Sequence, residues 1–307
     1  MGVSIVTALY NRLDLTREFL VSLERHPPPE PWEIIWVDDG STDGTREWLR
    51  TLPGPRHHVV LNEVNLGYAA ANNRGAALAT GRTLALLNND LVLTPGWFTP
   101  MADILSRFPG AGLVGNVQLN AKTGAVDHSG FYYYARGKPA HDRTLPPAVP
   151  SPARPVPAAT GACLLVAHER FRALGGFDPV FRNGCEDVDL CLRARAAGWQ
   201  NYVALNSVIR HHVSSSPGRS DHNQRNAYLL MRRWQDTIPA LAAASWQELA
   251  LRDRWESKLT GWPWLRARLS RSILRNPQQD CPRWMRQAVT RLVERDLARW
   301  RRMFPEI

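Results

Sequence analysis

An α/β fold is what this sequence predicts: a mostly parallel sheet flanked by helices, with a helical C-terminal extension. Three observations carry it. Through the first 90 positions short β-branched runs alternate with helically spaced apolar residues, joined by short connections, as in a parallel sheet covered on both faces. Two of the first four expected strands stop abruptly in acidic turns, Asp38-Asp39-Gly40-Ser41 and Asn88-Asn89-Asp90. After residue 213 the charge and aromatic content change, and residues 214–307 hold seven of the 12 tryptophans.

The run 3–9 is a compact apolar strand, and 11–25 follows with Leu13, Leu15, Phe19, Leu20 and Leu23 at helical spacing. A second strand, 33–37, enters the first acidic turn. Residues 42–52 read as a helix, 58–62 as a third strand, and 68–80 as an alanine-rich helix stopped by Gly81. A fourth strand, 83–87, enters the second acidic turn. Strands are expected again at 112–119 and 127–134. From Pro146 to Pro157 the prolines are too dense for a helix or a sheet interior, so this stretch reads as a surface connector or a flap over a site. Order resumes with a strand at 161–167, a helix, the turn Gly175-Gly176-Phe177-Asp178 and a helix over 188–197. A strand at 202–205 and the run 208–212 close the body.

Beyond Ser214-Ser215-Ser216-Pro217-Gly218 helices are expected over 225–235, 246–259 and 283–303, which divides the chain into 1–213 and 214–307. In the last helix Trp284, Ala288, Leu292, Val293, Leu297 and Trp300 form a stripe while most arginines lie elsewhere. Such a helix either packs its stripe on the body or lies in a lipid headgroup layer.

The formal charge of +10 is uneven: residues 214–307 carry +9 and the preceding 213 carry +1. A near-neutral body with a basic appendage is unlike a protein that coats nucleic acid, and no aromatic-basic reading surface stands out. Four cysteines, none in a CxxC pair, make no disulfide framework and fit a reducing compartment. Without a basic n-region before a long apolar run, or any stretch of about 18 apolar residues, neither a signal peptide nor a membrane span is expected. Leu9-Tyr10-Asn11-Arg12 stands where a dinucleotide enzyme would place GxGxxG, which disfavours an oxidoreductase.

Parallel sheets bind ligands beyond the carboxyl ends of their strands. There Asp38 and Asp39 could accept hydrogen bonds from a nucleobase imide or ribose hydroxyl, although turn and helix-cap roles suit the same residues. Asn88-Asn89-Asp90 could present one carboxylate to Mg²⁺ or Mn²⁺, which typically bridges such a group to substrate phosphates; a plain turn is equally compatible. Gly184-Cys185-Glu186-Asp187-Val188-Asp189 gathers three carboxylates at a helix start, where the dipole favours them. Glu186 or Asp187 could also deprotonate an acceptor hydroxyl as general base, while Asp189 reads as structural. His211-His212 ends the last body strand, and one neutral imidazole there could complete a metal site. Two histidines without cysteine or a third histidine disfavour zinc.

Taken in order, these segments resemble one family. They are Val3-Ser4-Ile5-Val6 with Tyr10-Asn11; Val37-Asp38-Asp39-Gly40-Ser41-Thr42-Asp43; Asn65-Leu66-Gly67-Tyr68 with Asn72-Asn73-Arg74-Gly75; Leu87-Asn88-Asn89-Asp90; Thr160-Gly161-Ala162-Cys163; Gly175-Gly176-Phe177-Asp178; Glu186-Asp187-Val188-Asp189-Leu190; and His211-His212. Over about residues 3–213 the set is similar to family 2 of the inverting nucleotide-sugar glycosyltransferases, and most like its bacterial rhamnosyltransferase-type members of surface polysaccharide assembly. The resemblance implies a GT-A (Rossmann-like) fold, a nucleotide-diphospho-sugar donor, a glycan or lipid-linked acceptor, and a divalent cation, Mg²⁺ or Mn²⁺. It assigns Thr7, Asp38, Asp39, Gly67, Asn73 and Asn89 to the donor nucleotide, with Asp39 at the nucleobase. Asp90 matches the metal-binding carboxylate that closes the family's DXD motif, and Asn88 stands where many members carry the first Asp. Asp187 matches the catalytic base, with Glu186 beside it. His211 matches the metal-side histidine, with His212 as the fallback.

The implied reaction is a single displacement that needs no enzyme nucleophile, in the cytoplasm or peripherally at the inner face of the cell membrane. The C-terminal helices would meet that membrane surface, and no nucleic-acid partner is expected. A transferase with a soluble or protein acceptor is one alternative reading. A catalytically silent membrane-binding module is another, against which Asp90 and Asp187 argue.

Overall fold

The computed structural model of the chain describes residues 2–29, 31–52, 54–144, 152–212, 222–251 and 283–306. The 214–218 boundary, Cys281, the later part of the expected 246–259 helix and residues 146–151 of the proline-rich stretch lie outside the described residues.

Eight strands line up in the order β10-β12-β6-β11-β4-β1-β2-β3. On one side β1 (Val3–Leu9), β2 (Trp32–Asp38), β3 (His57–Leu61) and β4 (Thr83–Leu87) run parallel, linked by α1 (Leu13–Arg25), α2 (Thr45–Arg50) and α3 (Tyr68–Ala76). Helices cross over between parallel neighbours because a tight turn cannot reverse direction twice. After β5 (Leu91–Val92) and α4 (Thr99–Arg107), β6 (Ala111–Asn120) joins the other side of the sheet, with β7 (Val126–His128) antiparallel to it. β8 (Phe131–Tyr133) and β9 (Pro139–His141) form a separate two-stranded ribbon. The expected strand 127–134 is thus two strands, broken at Ser129-Gly130, where Gly130 turns the chain at φ 124°.

β10 (Ala153–Val156) lies within the proline-rich stretch. It tolerates Pro155 because it is an edge strand, paired only with β12. β11 (Cys163–Ala167) is inserted antiparallel between β4 and β6, so the sheet is mixed. α5 (His168–Ala173) and α6 (Glu186–Ala196) lead to β12 (Gln200–His211), parallel to β6. The two short runs expected at 202–205 and 208–212 are one strand with an irregularity between Ala204 and Val208.

The core sits where the sheet meets α1 and α4. Trp36 is fully buried there, edge-on to Phe19 at 6.0 Å and to Trp48 at 6.1 Å. Each apolar side chain so buried contributes about 1.5–3 kcal/mol. On the opposite face α3 lies close to the sheet through Gly75, where a Cβ would come within 2.5 Å of Val6 Cγ1.

Two compact units result: residues 1–131 with 141–222, and residues 132–140 with 223–307. In the second, α7 (Asn223–Arg233) and α8 (Ile238–Leu251) pack against α9 (Arg283–Met303). Met285, Val289, Val293, Leu297 and Trp300 of α9 are buried, so the inward face keeps Val293, Leu297 and Trp300 of the expected stripe, while Trp284, Ala288 and Leu292 are only half-buried because the 3.6-residue turn carries them round the helix. Tyr133 N–H donates to Ser245 Oγ at 3.0 Å, fastening the ribbon segment to α8. Among the described residues no helix is long and apolar enough to cross a membrane.

Candidate active site

The carboxyl ends of the parallel strands share one edge, since Leu9 is in register with Asp38 and Asp38 with Leu61. Asp38 is fully buried and pairs with Arg46 at 3.1 Å. Burial pushes its pKa above the ordinary carboxylate value, against hydrogen bonds from Ser41 and the charge of Arg46. Asp39, 3% exposed, accepts hydrogen bonds from Asn62 Nδ2 (2.7 Å), Leu66 N–H (2.9 Å) and Gly67 N–H (2.8 Å). It therefore folds the 62–67 loop over the strand end. Gly67 suits that corner because its φ is 88°. Thr7 lies inside β1, fully buried, with no hydrogen-bond partner for Oγ1.

Asn73 bridges the Phe177 main chain: Nδ2 donates to the carbonyl at 2.7 Å, and Oδ1 accepts from the N–H at 2.8 Å. Its visible work is to hold the Gly175-Gly176-Phe177 turn. Asn89 donates from Nδ2 to Thr16 Oγ1 at 2.8 Å, tying the second acidic turn to α1.

Asp90 Oδ1 lies 3.2 Å from His211 Nε2, and both side chains are almost wholly buried. His212 N–H donates to the Asp90 carbonyl at 2.9 Å, but its ring pairs with Glu18 at 3.1 Å. Of the two histidines, His211 is the one beside Asp90. Among the described residues no three His, Cys, Asp or Glu side chains are grouped to hold a metal ion. The pair itself fits a partial shell: an octahedral cation with bonds of about 2.1 Å sets neighbouring donors about 3 Å apart and commonly takes its remaining ligands from phosphate and water. Buried His211 Nδ1 and Asn88 Oδ1 also lack hydrogen-bond partners, as expected beside a site that a polar ligand completes.

Asp187 opens α6, whose acidic first turn extends the expected helix back to Glu186. Its Oδ2 accepts from Gly161 N–H at 2.9 Å and its Oδ1 from Val188 N–H at 2.8 Å. These bonds fix the carboxylate while each oxygen keeps a further lone pair. Glu186 is buried and accepts from Gly184 N–H at 2.6 Å. Asp189 pairs with Arg193 at 2.8 Å within the helix, a structural contact. Asn183 and Cys185, just before α6, both have positive φ, a strain of about 1–3 kcal/mol each that clusters at functional loops. Cys163, Cys185 and Cys191 are free thiols; burial pushes Cys163 and Cys191 upward, away from nucleophilic thiolates.

Asn88 N–H donates to the Ala162 carbonyl at 2.9 Å, and the preceding residue, Gly161, holds Asp187. The Asp90 turn and Asp187 therefore meet at the same sheet edge. Residues 4–151 match the family model for glycosyl transferase family 2. That segment belongs to glycosyltransferase family 2. The chain is 31% identical to an O-antigen biosynthesis protein of Myxococcus xanthus, over 70% of this chain and 17% of that protein. It is 29% identical to an N-acetylglucosaminyl-diphospho-decaprenol L-rhamnosyltransferase of Mycobacterium tuberculosis, over 70% of this chain and 77% of the relative. In fold, it superposes on GalNAc-T7 solved with UDP, GalNAc and Mn²⁺ with a TM-score of 0.64, covering 89% of this chain and 57% of that one at 17% identity. The chain spans only 27% of a Sinorhizobium fredii relative and 17% of the Myxococcus protein.

Several residues of the candidate site carried no clear signal in the sequence. Asn62, directly after β3, is polar at a strand end and could have been found by that rule. Only the fold shows Arg46 pairing with Asp38, and the N–H of Gly161, a residue of a recognised motif, holding Asp187. Tyr68 lies in a recognised motif, but only the fold shows its hydroxyl donating to the Gly161 carbonyl at 2.8 Å.

Proposed function

We propose that the chain is a metal-dependent inverting glycosyltransferase, moving a sugar from a nucleotide-diphospho-sugar to an acceptor hydroxyl in cell-surface polysaccharide or glycoconjugate assembly. One observation carries the reading: the Asn88–Ala162 bond and the adjacent Gly161–Asp187 bond bring a fixed carboxylate to the edge that holds Asp90 and His211.

In this reading the donor nucleotide lies over Asp38, Asp39 and Gly67, with Thr7, Asn73 and Asn89 beneath and beside it. Asp90 and His211 would hold a divalent cation, which supplies positive charge to the diphosphate. Asp187 accepts the proton of the acceptor hydroxyl, whose oxygen bonds to the anomeric carbon as the bond to the diphosphate oxygen breaks. The electron pair leaves with the nucleoside diphosphate, and attack opposite the leaving group inverts the anomeric centre. Glu186 braces the loop before the base through Gly184.

The names of the Myxococcus and Mycobacterium relatives support a glycan or lipid-linked acceptor, and a lipid-linked one would be met peripherally at the inner face of the cell membrane. The test is a panel of sugar nucleotides with Mn²⁺, Mg²⁺ or a chelator, read by thermal stabilisation and by nucleoside diphosphate release. One donor is expected to stabilise the protein only with metal and to yield an inverted product anomer by NMR. A panel with no stabilisation and no release refutes the reading, and a retained anomer refutes inversion.

A further inference from the structure

Helix α9 has 21 residues and two opposed faces. Opposite its buried apolar stripe, Arg291, Arg295, Arg299 and Arg302 follow i, i+4, i+8 and i+11 spacing and all are exposed. At 1.5 Å per residue they form a line about 17 Å long. Half-buried Trp284 stands at the N-terminal end of the same line. The acidic residues of the helix, Glu294 and Asp296, lie off it, and Asp296 is taken up by Arg136 at 3.3 Å. Among the described residues none of the four arginines has an ion-pair partner, and Arg299 only leans on the Trp300 ring, 5.9 Å from its centroid.

Four like charges along one straight face repel one another unless a spread of negative charge lies against them. We propose that this arginine line docks the chain onto an anionic lipid surface, with headgroup phosphates along the guanidinium groups. Planar guanidinium pairs with phosphate oxygens two at a time, so a flat array of phosphates satisfies a straight row of arginines. Among the described residues of the unit, Tyr228 and Trp300 spend their ring faces on protein rather than on bases: Tyr228 packs edge-on to Trp300 at 6.3 Å and stacks on Phe304 at 6.0 Å. That arrangement favours lipid over nucleic acid. Because the apolar stripe is already buried, the contact is electrostatic and superficial rather than an insertion, and salt weakens it. The inference rests on the proposed function only for why a lipid surface would be useful, because an acceptor on a lipid carrier is found there.

The experiment is co-sedimentation of the full chain with vesicles of phosphatidylcholine alone or with one-third phosphatidylglycerol, beside an R291Q/R295Q/R299Q/R302Q variant whose circular dichroism and Tm match the unaltered chain. Partition onto the anionic vesicles alone is expected, falling roughly a hundredfold in the variant and to a similar degree in about 1 M salt. Should the variant not fold, the salt titration of the unaltered chain decides. Binding that ignores phosphatidylglycerol, persists in the variant or resists salt overturns the proposal. So does capture by duplex DNA at a salt concentration where the vesicles bind nothing. Sugar transfer to a water-soluble acceptor is expected to be the same in both proteins. Vesicle binding without any transfer counts against the proposed activity alone.

Discussion

His211 Nε2 faces Asp90 Oδ1 across 3.2 Å, although one residue ends β12 and the other follows β4. β5 brings them together by pairing antiparallel with β12, with His211 opposite Leu91. If the two share a cation with the donor diphosphate, D90N and H211A should each lower Mn²⁺-dependent affinity for the nucleoside diphosphate at least tenfold, whereas H212A should leave it nearly unchanged. Titration calorimetry with and without Mn²⁺ measures this. Equal losses in the two histidine variants would remove His211 from the role.

Asp187 accepts from two backbone N–H groups and an Asn carbonyl can accept from only one of them, so D187N is expected to fold with a somewhat lower Tm and still to bind donor. Loss of a general base predicts a fall of about 10²–10⁴ in kcat with little change in donor KM. Initial rates over a range of donor and acceptor concentrations give both numbers. Turnover near that of the unaltered protein would dismiss Asp187 as the base.

Asn73 makes two bonds to Phe177, and N73A leaves that N–H and carbonyl unpaired in a half-buried turn. The expected cost is about 1–3 kcal/mol, a Tm lower by several degrees, with donor affinity hardly altered. Calorimetry on the variant with and without donor separates the two effects. A weaker donor Kd at unchanged Tm would return Asn73 to direct nucleotide contact.

His128 is fully buried beside the Thr160-Gly161 segment, its Nε2 accepting from Thr160 N–H at 3.2 Å. Burial holds its pKa well below 6.5. Between that lowered value and 6.5 the unfolded chain binds a proton that the folded chain does not. Its contribution is thus intact above pH 6.5 and is lost as the pH falls, by up to about 1.4 kcal/mol per unit. Urea unfolding at a series of pH values should show H128Q, which can still accept from Thr160, with the shallower acid slope. A slope equal to that of the unaltered chain would assign the acid lability to other histidines.

Much of the architecture was legible in the sequence. β1, β4 and α9 span the residues their spacing predicts, because period and apolar run length are local signals. Edges were less legible where backbone conformation intervenes. α1 starts at Leu13 rather than 11 because Asn11 and Arg12 are left-handed, with Ser41 Oγ accepting from Asn11 N–H at 2.7 Å. The antiparallel insertion of β11 also left no mark, since an apolar strand buried on both faces reads alike in either direction.

By itself the sequence determined which strands end in carboxylates and in what order, because a strand and the polar turn that stops it are written in consecutive residues. Only the tertiary structure decided which of those groups meet. The resemblance preferred His211 with His212 as fallback, and only register shows which of the two lies beside Asp90 and which beside Glu18. The apolar stripe of α9 could likewise have faced lipid or protein, and the packing of α7 and α8 against that helix decided for protein.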